Sequence, residues 1–219
     1  MIEKIFRYGL IRRIRSGIRL KIYPSFECSL NCWYCGNGLE GNTNPKDPPK
    51  IYELEDWQEL ISNFPIKIND VVLSGGEPTI YKDFVPLANW ILDQGIMLEV
   101  YTNLTNKRLA KVRPSYKLRI LATYHHEYDM QKFNENYLFV QKQHKHKIDV
   151  KEIGSKKLTY SRLVPWGCTL ESSKQVFKNY LYCCPDGEIF TCCYKAMLHA
   201  TKNQKKVISR PLPEISENL

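Results

Sequence analysis

The sequence predicts an α/β protein built on a parallel sheet, and three observations carry that reading. First, short apolar runs at residues 20–23, 70–74, 97–102 and 118–124 alternate with segments of helical spacing at 54–63, 84–94 and 130–145. Parallel neighbours need a long return path, usually a helix, so this alternation is what crossover units leave in a sequence. Second, glycine, acidic and cysteine groups follow directly on predicted strands, at the strand ends where sites of parallel sheets gather. Third, the pattern changes from about Trp166: residues 180–184, the turn Pro185-Asp186-Gly187 and residues 188–192 read as a β-hairpin.

A fifth strand is expected at 148–153 and a sixth at 158–164, with little chain left for a helix between them. Residues 1–18 set Ile2, Ile5, Phe6, Leu10, Ile14 and Ile18 at helical spacing, with Arg7, Arg12, Arg13 and Arg15 on other faces. Such a basic amphipathic helix either packs on the domain or attaches to an anionic membrane surface. The division expected is this helix, a core domain at 19–160, a cysteine-rich extension at 161–201 and a loose tail at 202–219. The loop at 36–50, rich in Gly, Asn and Pro, is too polar for core.

Apolar content of 43% and charged content of 25% fit a soluble globular chain. No run approaches the roughly 20 apolar residues of a transmembrane helix, and no secretory signal stands at the start. A cytoplasmic location is therefore expected. There the eight cysteines read as metal or redox groups rather than disulfides. The net charge of +9 points to an acidic or anionic partner. It is spread over three stretches with no base-stacking motif, which leaves nucleic acid the weaker alternative.

Cys28, Cys32 and Cys35 stand in Cys-x3-Cys-x2-Cys spacing directly after the first strand. Three thiolates on one loop can hold three irons of a cubane cluster. No fourth ligand lies nearby, so one iron would stay open to a small molecule, whereas a structural zinc or ferredoxin-like site would need that fourth ligand. A zinc loop is the bland alternative at this point. The next strand ends in Gly75-Gly76-Glu77-Pro78, where glycines admit close approach and Glu77 offers an acceptor for an ammonium group.

The triplet, with the aromatic Tyr34 before its last cysteine, together with Gly75-Gly76-Glu77-Pro78, resembles the radical S-adenosylmethionine (radical SAM) superfamily. The resemblance covers roughly residues 18–155 and implies a shortened, partial (βα)6 TIM-like barrel, open on one side to admit substrate. It implies a [4Fe–4S] cluster on Cys28, Cys32 and Cys35, with SAM chelated at the open iron. Gly75, Gly76, Glu77 and Pro78 would hold the SAM methionine, and Tyr34 would offer its backbone to the adenine. Asn103, in a Thr-Asn that closes the third strand, and Thr123, at the hydroxyl position of a Ser-x-Asp pattern, complete the implied cofactor set. The chain departs from that pattern at His125, where Asp is usual. His125 is either a substrate contact, and then the candidate for proton transfer, or a buried histidine. His144 and His146, in a Lys-rich helix end, are expected to be solvated.

The remaining cysteines, Cys168, Cys183, Cys184, Cys192 and Cys193, with Gly187 five residues before Cys192, resemble the start of the SPASM or twitch extensions that bind auxiliary clusters. Neighbouring strand residues point to opposite faces, so the four cysteines of the two adjacent pairs cannot all reach one metal easily, and a site would take Cys168 with one or more residues from each pair. Cys168, Cys184, Cys192 and Cys193 are the expected set, with Cys183 interchangeable with Cys184. No cysteine follows Cys193, so the segment is truncated and at most one auxiliary cluster is expected. Zinc, or buried free cysteines, are the alternatives.

The function expected is reductive cleavage of SAM to a 5′-deoxyadenosyl radical that abstracts hydrogen from an organic substrate, a peptide, sugar or nucleoside. An electron donor of flavodoxin or ferredoxin type would be the partner. Within the enzymes, a glycyl-radical activase is the rival, disfavoured by the Gly187–Cys192 hairpin. Outside them, the rival is a non-catalytic Fe–S or zinc module on nucleic acid, which would have no use for Gly75-Gly76-Glu77-Pro78.

Overall fold

The computed structural model describes residues 17–32, 47, 50–144, 148–153, 180–190, 196 and 199. In chain order these form β1 (Ile18–Ile22), α1 (Leu54–Ser62), β2 (Ile68–Leu73), α2 (Phe84–Asp93), β3 (Met97–Thr102), β4 (Leu118–His125), α3 (Met130–His144), β5 (Ile148–Ile153), β6 (Tyr180–Cys183) and β7 (Ile189–Phe190). The seven strands make one sheet in the order β5-β4-β3-β2-β1-β6-β7. Every neighbouring pair is parallel except β6 with β7. Among the described residues the sheet is open, with β5 and β7 at its edges. The expected strand at 158–164 and the helix at 1–18 lie outside the described residues, except for Gly17 and Ile18.

Alternation along each strand divides the two faces of the sheet. Ile18, Leu20 and Ile22 of β1 join Val71, Leu73, Leu98, Val100, Leu118 and Ile120 in one core, closed by Trp57 and Ile61 of α1, Leu87 and Ile91 of α2, and Phe133 and Val140 of α3. The opposite face is polar: Arg19 bonds Glu99 at 2.5 Å and also Tyr180, and Lys21 lies 4.8 Å from the Tyr101 ring centroid. Helices on one face and polar groups on the other are what an unclosed barrel gives, its polar face being the inner wall.

The hairpin is part of this sheet rather than a separate appendage, because β6 runs parallel to β1 from Arg19↔Tyr180 to Ile22↔Cys183. Its turn seats on the irregular segment just before α1: Tyr52 N–H donates to Pro185 O at 2.6 Å. Gly187 sits at φ +80, and a Cβ there would lie 2.0 Å from the Tyr52 ring. Only glycine fits that close, left-handed position.

Strand ends are staggered. Ile22 is level with Leu73 and Leu73 with Val100, whereas β3 continues to Thr102, level with Ala122, and β4 runs on to His125. This overhang carries His125 towards the loop after β1. His144 does not meet its expectation: it is 8% exposed, and Nε2 lies 3.0 Å from Leu109 O. The apolar face of α3 buries its last turn, which the flanking lysines concealed in the sequence. No helix among the described residues is long and apolar enough to cross a membrane.

Candidate active site

The cysteine loop leaves β1 and locks at once onto the turn after β2. Gly76 N–H donates to Ser25 O at 3.2 Å, and Glu77 N–H donates to Glu27 O at 2.7 Å. Cβ atoms at the glycines would lie 2.3 Å from Ser25 O at Gly75 and 2.0 Å from Glu27 O at Gly76, and Gly75 has φ +124. The approach these glycines permit at their Cβ positions is therefore that of the cysteine loop's backbone, so one sequence motif holds the other in place. Asp47 clamps the same stretch, accepting from Phe26 N–H at 2.5 Å and from Ser25 Oγ at 2.6 Å.

Glu77 is fully buried. Its Oε1 accepts from Thr79 N–H at 3.1 Å, Thr79 Oγ1 at 2.5 Å and Thr102 Oγ1 at 2.8 Å, and its Oε2 accepts from Asn103 N–H at 2.6 Å. Burial pushes the carboxyl up, and these four donors pull against that shift. The side chain expected to meet an ammonium group thus ties the β2 turn to the end of β3. Pro78 opens the short 3-10 turn Pro78–Ile80, where its missing N–H costs nothing.

Beyond Thr102 the backbone turns through Leu104 at φ 53, a left-handed position uncommon outside glycine. It is held there by Leu104 N–H on Thr102 Oγ1 at 3.0 Å and by Asn136 Nδ2 on Leu104 O at 2.8 Å. This turn points Asn103 at the cysteine loop. Asn103 Nδ2 is 3.5 Å from Cys28 Sγ, and Leu30 N–H donates to the same sulfur at 3.4 Å.

Cys32 is buried, with its Sγ 3.4 Å from His125 Nδ1. Together with Glu127, these two offer ligand atoms all within 4.8 Å of one another. Burial holds the His125 imidazole below its ordinary value, which favours the neutral ring at neutral pH. Thr123, two residues earlier on the same face of β4, is half-buried. Cys28 and Cys32 fit a thiolate-ligated cluster, because N–H groups or a ring nitrogen already stand at both sulfurs, where a thiolate would accept. Tyr34 and Cys35 lie outside the described residues.

Of the second cysteine group, Cys168, Cys192 and Cys193 also lie outside the described residues. Cys183 and Cys184 are not interchangeable. Cys183 packs in the main core, whereas Cys184 faces Tyr23, Phe26 and Tyr182 on the other side, with Sγ 3.5 Å from Ala196 O. Burial pushes both thiols well up, which keeps them protonated as they stand.

Sequence reasoning missed Ser25, Asp47 and Glu127, and it read Thr102 only as part of the Thr-Asn that closes β3, without its bond to Glu77. Asp47 had no periodic signal, standing in the aperiodic loop at 36–50.

Comparison with known proteins decides the family, since the Radical SAM superfamily model matches residues 22–149. The chain belongs to the radical SAM superfamily. Enzymes of this family use a [4Fe–4S] cluster and SAM. Over 84 residues the chain is 38% identical to a probable GTP 3′,8-cyclase of Pyrococcus abyssi, a match covering 38% of this chain and 26% of that protein. Over 89 residues it is 33% identical to a PqqA peptide cyclase of Bradyrhizobium diazoefficiens, covering 39% and 22%. The match thus spans about a quarter of each curated relative. Among solved structures, BtrN in complex with AdoMet and 2-DOIA superposes with a TM-score of 0.56 at 17% identity, covering 81% of this chain and 74% of that one. That likeness shows the fold.

Proposed function

We propose that this radical SAM protein holds a [4Fe–4S] cluster through Cys28, Cys32 and Cys35 and acts on an organic substrate by hydrogen abstraction. Held by these three cysteines, a [4Fe–4S] cluster would supply the single electron for reductive cleavage of SAM, the source of the hydrogen-abstracting radical. The observation that carries this reading is the interlock of the cysteine loop with Gly75-Gly76-Glu77-Pro78 and the end of β3. The start of the cysteine loop is hydrogen-bonded to the glycine turn, and Cys28 and Cys32 both face nitrogen groups.

This chain's residues divide the work. Asp47, Ser25 and the glycine pair hold the loop, Glu77 and Thr102 hold the β3 end, and Pro78 and Thr123 would contact SAM. The polar inner wall of Arg19, Lys21, Glu99 and Tyr101 is where substrate would lie. A peptide substrate is supported by the likeness to a PqqA peptide cyclase, while the likeness to a GTP cyclase supports a nucleotide. An electron donor of flavodoxin or ferredoxin type would supply the electron, in the cytoplasm. The basic net charge of +9 suits an acidic donor.

Anaerobic reconstitution tests the cluster. About four irons per chain are expected from the first three cysteines, and about eight if Cys168, Cys184, Cys192 and Cys193 take an auxiliary cluster. Cys32→Ala should lose the first cluster and Cys192→Ala should keep it. Iron loading unaffected by Cys32→Ala would remove the basis of the proposal.

A further inference from the structure

Three features of the molecule invite a further role: the exposed apolar residues of α3, the polar inner wall, and the nitrogen groups facing the cysteine sulfurs. Nothing in the structure says what would cover α3, and the wall belongs to the substrate space already described. The third carries an inference about what Asn103 and His125 do at the cysteine sulfurs themselves.

Two strands deliver a side-chain nitrogen to two different sulfurs of the triplet. Asn103, after β3, places Nδ2 3.5 Å from Cys28 Sγ, and His125, at the end of β4, places Nδ1 3.4 Å from Cys32 Sγ. Sulfur is a large acceptor, so these are ordinary N–H···S separations. We infer that Asn103 and His125 are hydrogen-bond donors to the thiolates of Cys28 and Cys32, and that they raise the reduction potential of the cluster these cysteines hold. The inference rests on the cluster reading above.

The orientation of Asn103 is fixed by its own oxygen. Oδ1 accepts from Thr105 N–H at 3.0 Å and from Thr105 Oγ1 at 2.8 Å, so the amide cannot turn its oxygen to the sulfur without losing both. Its backbone is pinned as well, with Asn103 N–H on Glu77 and the next residue held left-handed. This amide nitrogen can only donate, and the sulfur it faces accepts once it is a thiolate.

His125 reaches its sulfur because β4 overruns its neighbours. In the free protein, the Cys32 S–H can donate to a bare Nδ1. Once Cys32 gives up its proton to bind iron, the contact persists only if Nδ1 carries hydrogen, which selects that tautomer. The departure from Asp at this position is then chemically sensible, because a carboxylate there would repel a thiolate where an imidazole N–H attracts it.

Reduction adds negative charge that spreads onto the ligating sulfurs, and N–H donors stabilise the reduced form more than the oxidised one. Removing a donor should therefore lower the midpoint potential. In the reconstituted full chain, an EPR-monitored potentiometric titration should show His125→Ala reducing the one-electron equilibrium constant about tenfold, or about 59 mV. Asn103→Ala should move it the same way, and His125→Gln, which keeps an N–H, should recover part of the loss. Midpoints unmoved in variants with wild-type iron content would overturn the inference.

A second measurement needs no variant. Wild-type protein labelled with ¹⁵N-histidine should show a weak ¹⁵N coupling in the pulsed EPR spectrum of the reduced cluster. No coupling would overturn the inference, and so would a strong one, which would make His125 an iron ligand. The two readings fail separately. Protein that takes up no cluster sinks the proposed function and this inference with it, whereas protein that cleaves SAM with unmoved midpoints sinks this inference alone.

Discussion

Gly76 and Glu77 are adjacent, and the structure gives them opposite constraints. Gly76 has no room for a side chain, since a Cβ would lie 2.0 Å from Glu27 O. Glu77 cannot be shortened, since four donors converge on its carboxylate. Gly76→Ala should push the cysteine loop away, costing about 3 kcal/mol in urea unfolding and lowering iron uptake on reconstitution. Glu77→Ala should cost about 3–5 kcal/mol, because buried N–H groups lose their acceptor and a cavity opens. Wild-type stability in either variant would mean that the interlock does not hold the site. The motif was legible in the sequence; that its glycines face protein backbone was not, because spacing says where a close approach occurs and not what approaches.

At the scale of elements, strands were legible where one face is apolar. Met97–Thr102 and Ile148–Ile153 have their sequence-expected bounds, and the three helices end within about two residues of theirs. What stayed hidden depends on contacts distant in sequence. The pairing of β6 with β1 joins residues about 160 positions apart, as in the Arg19–Tyr180 bond, and no local pattern announces it. Gly187→Ala should test the seat of this hairpin. A lost left-handed glycine and a clash with Tyr52 should cost about 2 kcal/mol and speed amide exchange in β6.

His144 was misread for a related reason: its lysine neighbours signal solvent, but the ring turns inward to Leu109. Its Nδ1 is buried with no hydrogen-bond partner among the described residues, and burial lowers its pKa. A histidine with a lowered folded pKa is held neutral, so the unfolded chain takes up the proton first on acidification. Stability should therefore fall as pH drops below about 6.5, the unfolded value. His144→Gln should flatten that slope in unfolding curves between about pH 7.5 and 5.5. An unchanged slope would assign the acid sensitivity elsewhere.

Over the whole molecule, parallel strands bring the candidate site residues to one end of the sheet. The cysteine loop follows β1, the glycine turn follows β2, Asn103 follows β3, and Thr123 and His125 close β4. Helices cover one face of the sheet, and polar groups line the other. The family was readable from two short motifs because cluster and cofactor chemistry demand particular residues. The substrate was not, because residues that select a substrate follow no common spacing, and the wall proposed for it is built from scattered residues such as Arg19, Lys21 and Glu99. The central claim is that this fold, loaded with its cluster, cleaves SAM. The direct test is 5′-deoxyadenosine, quantified after anaerobic reconstitution and addition of dithionite and SAM. Wild-type protein should form it and Cys32→Ala should not; wild-type protein with an intact cluster and no 5′-deoxyadenosine would contradict the account.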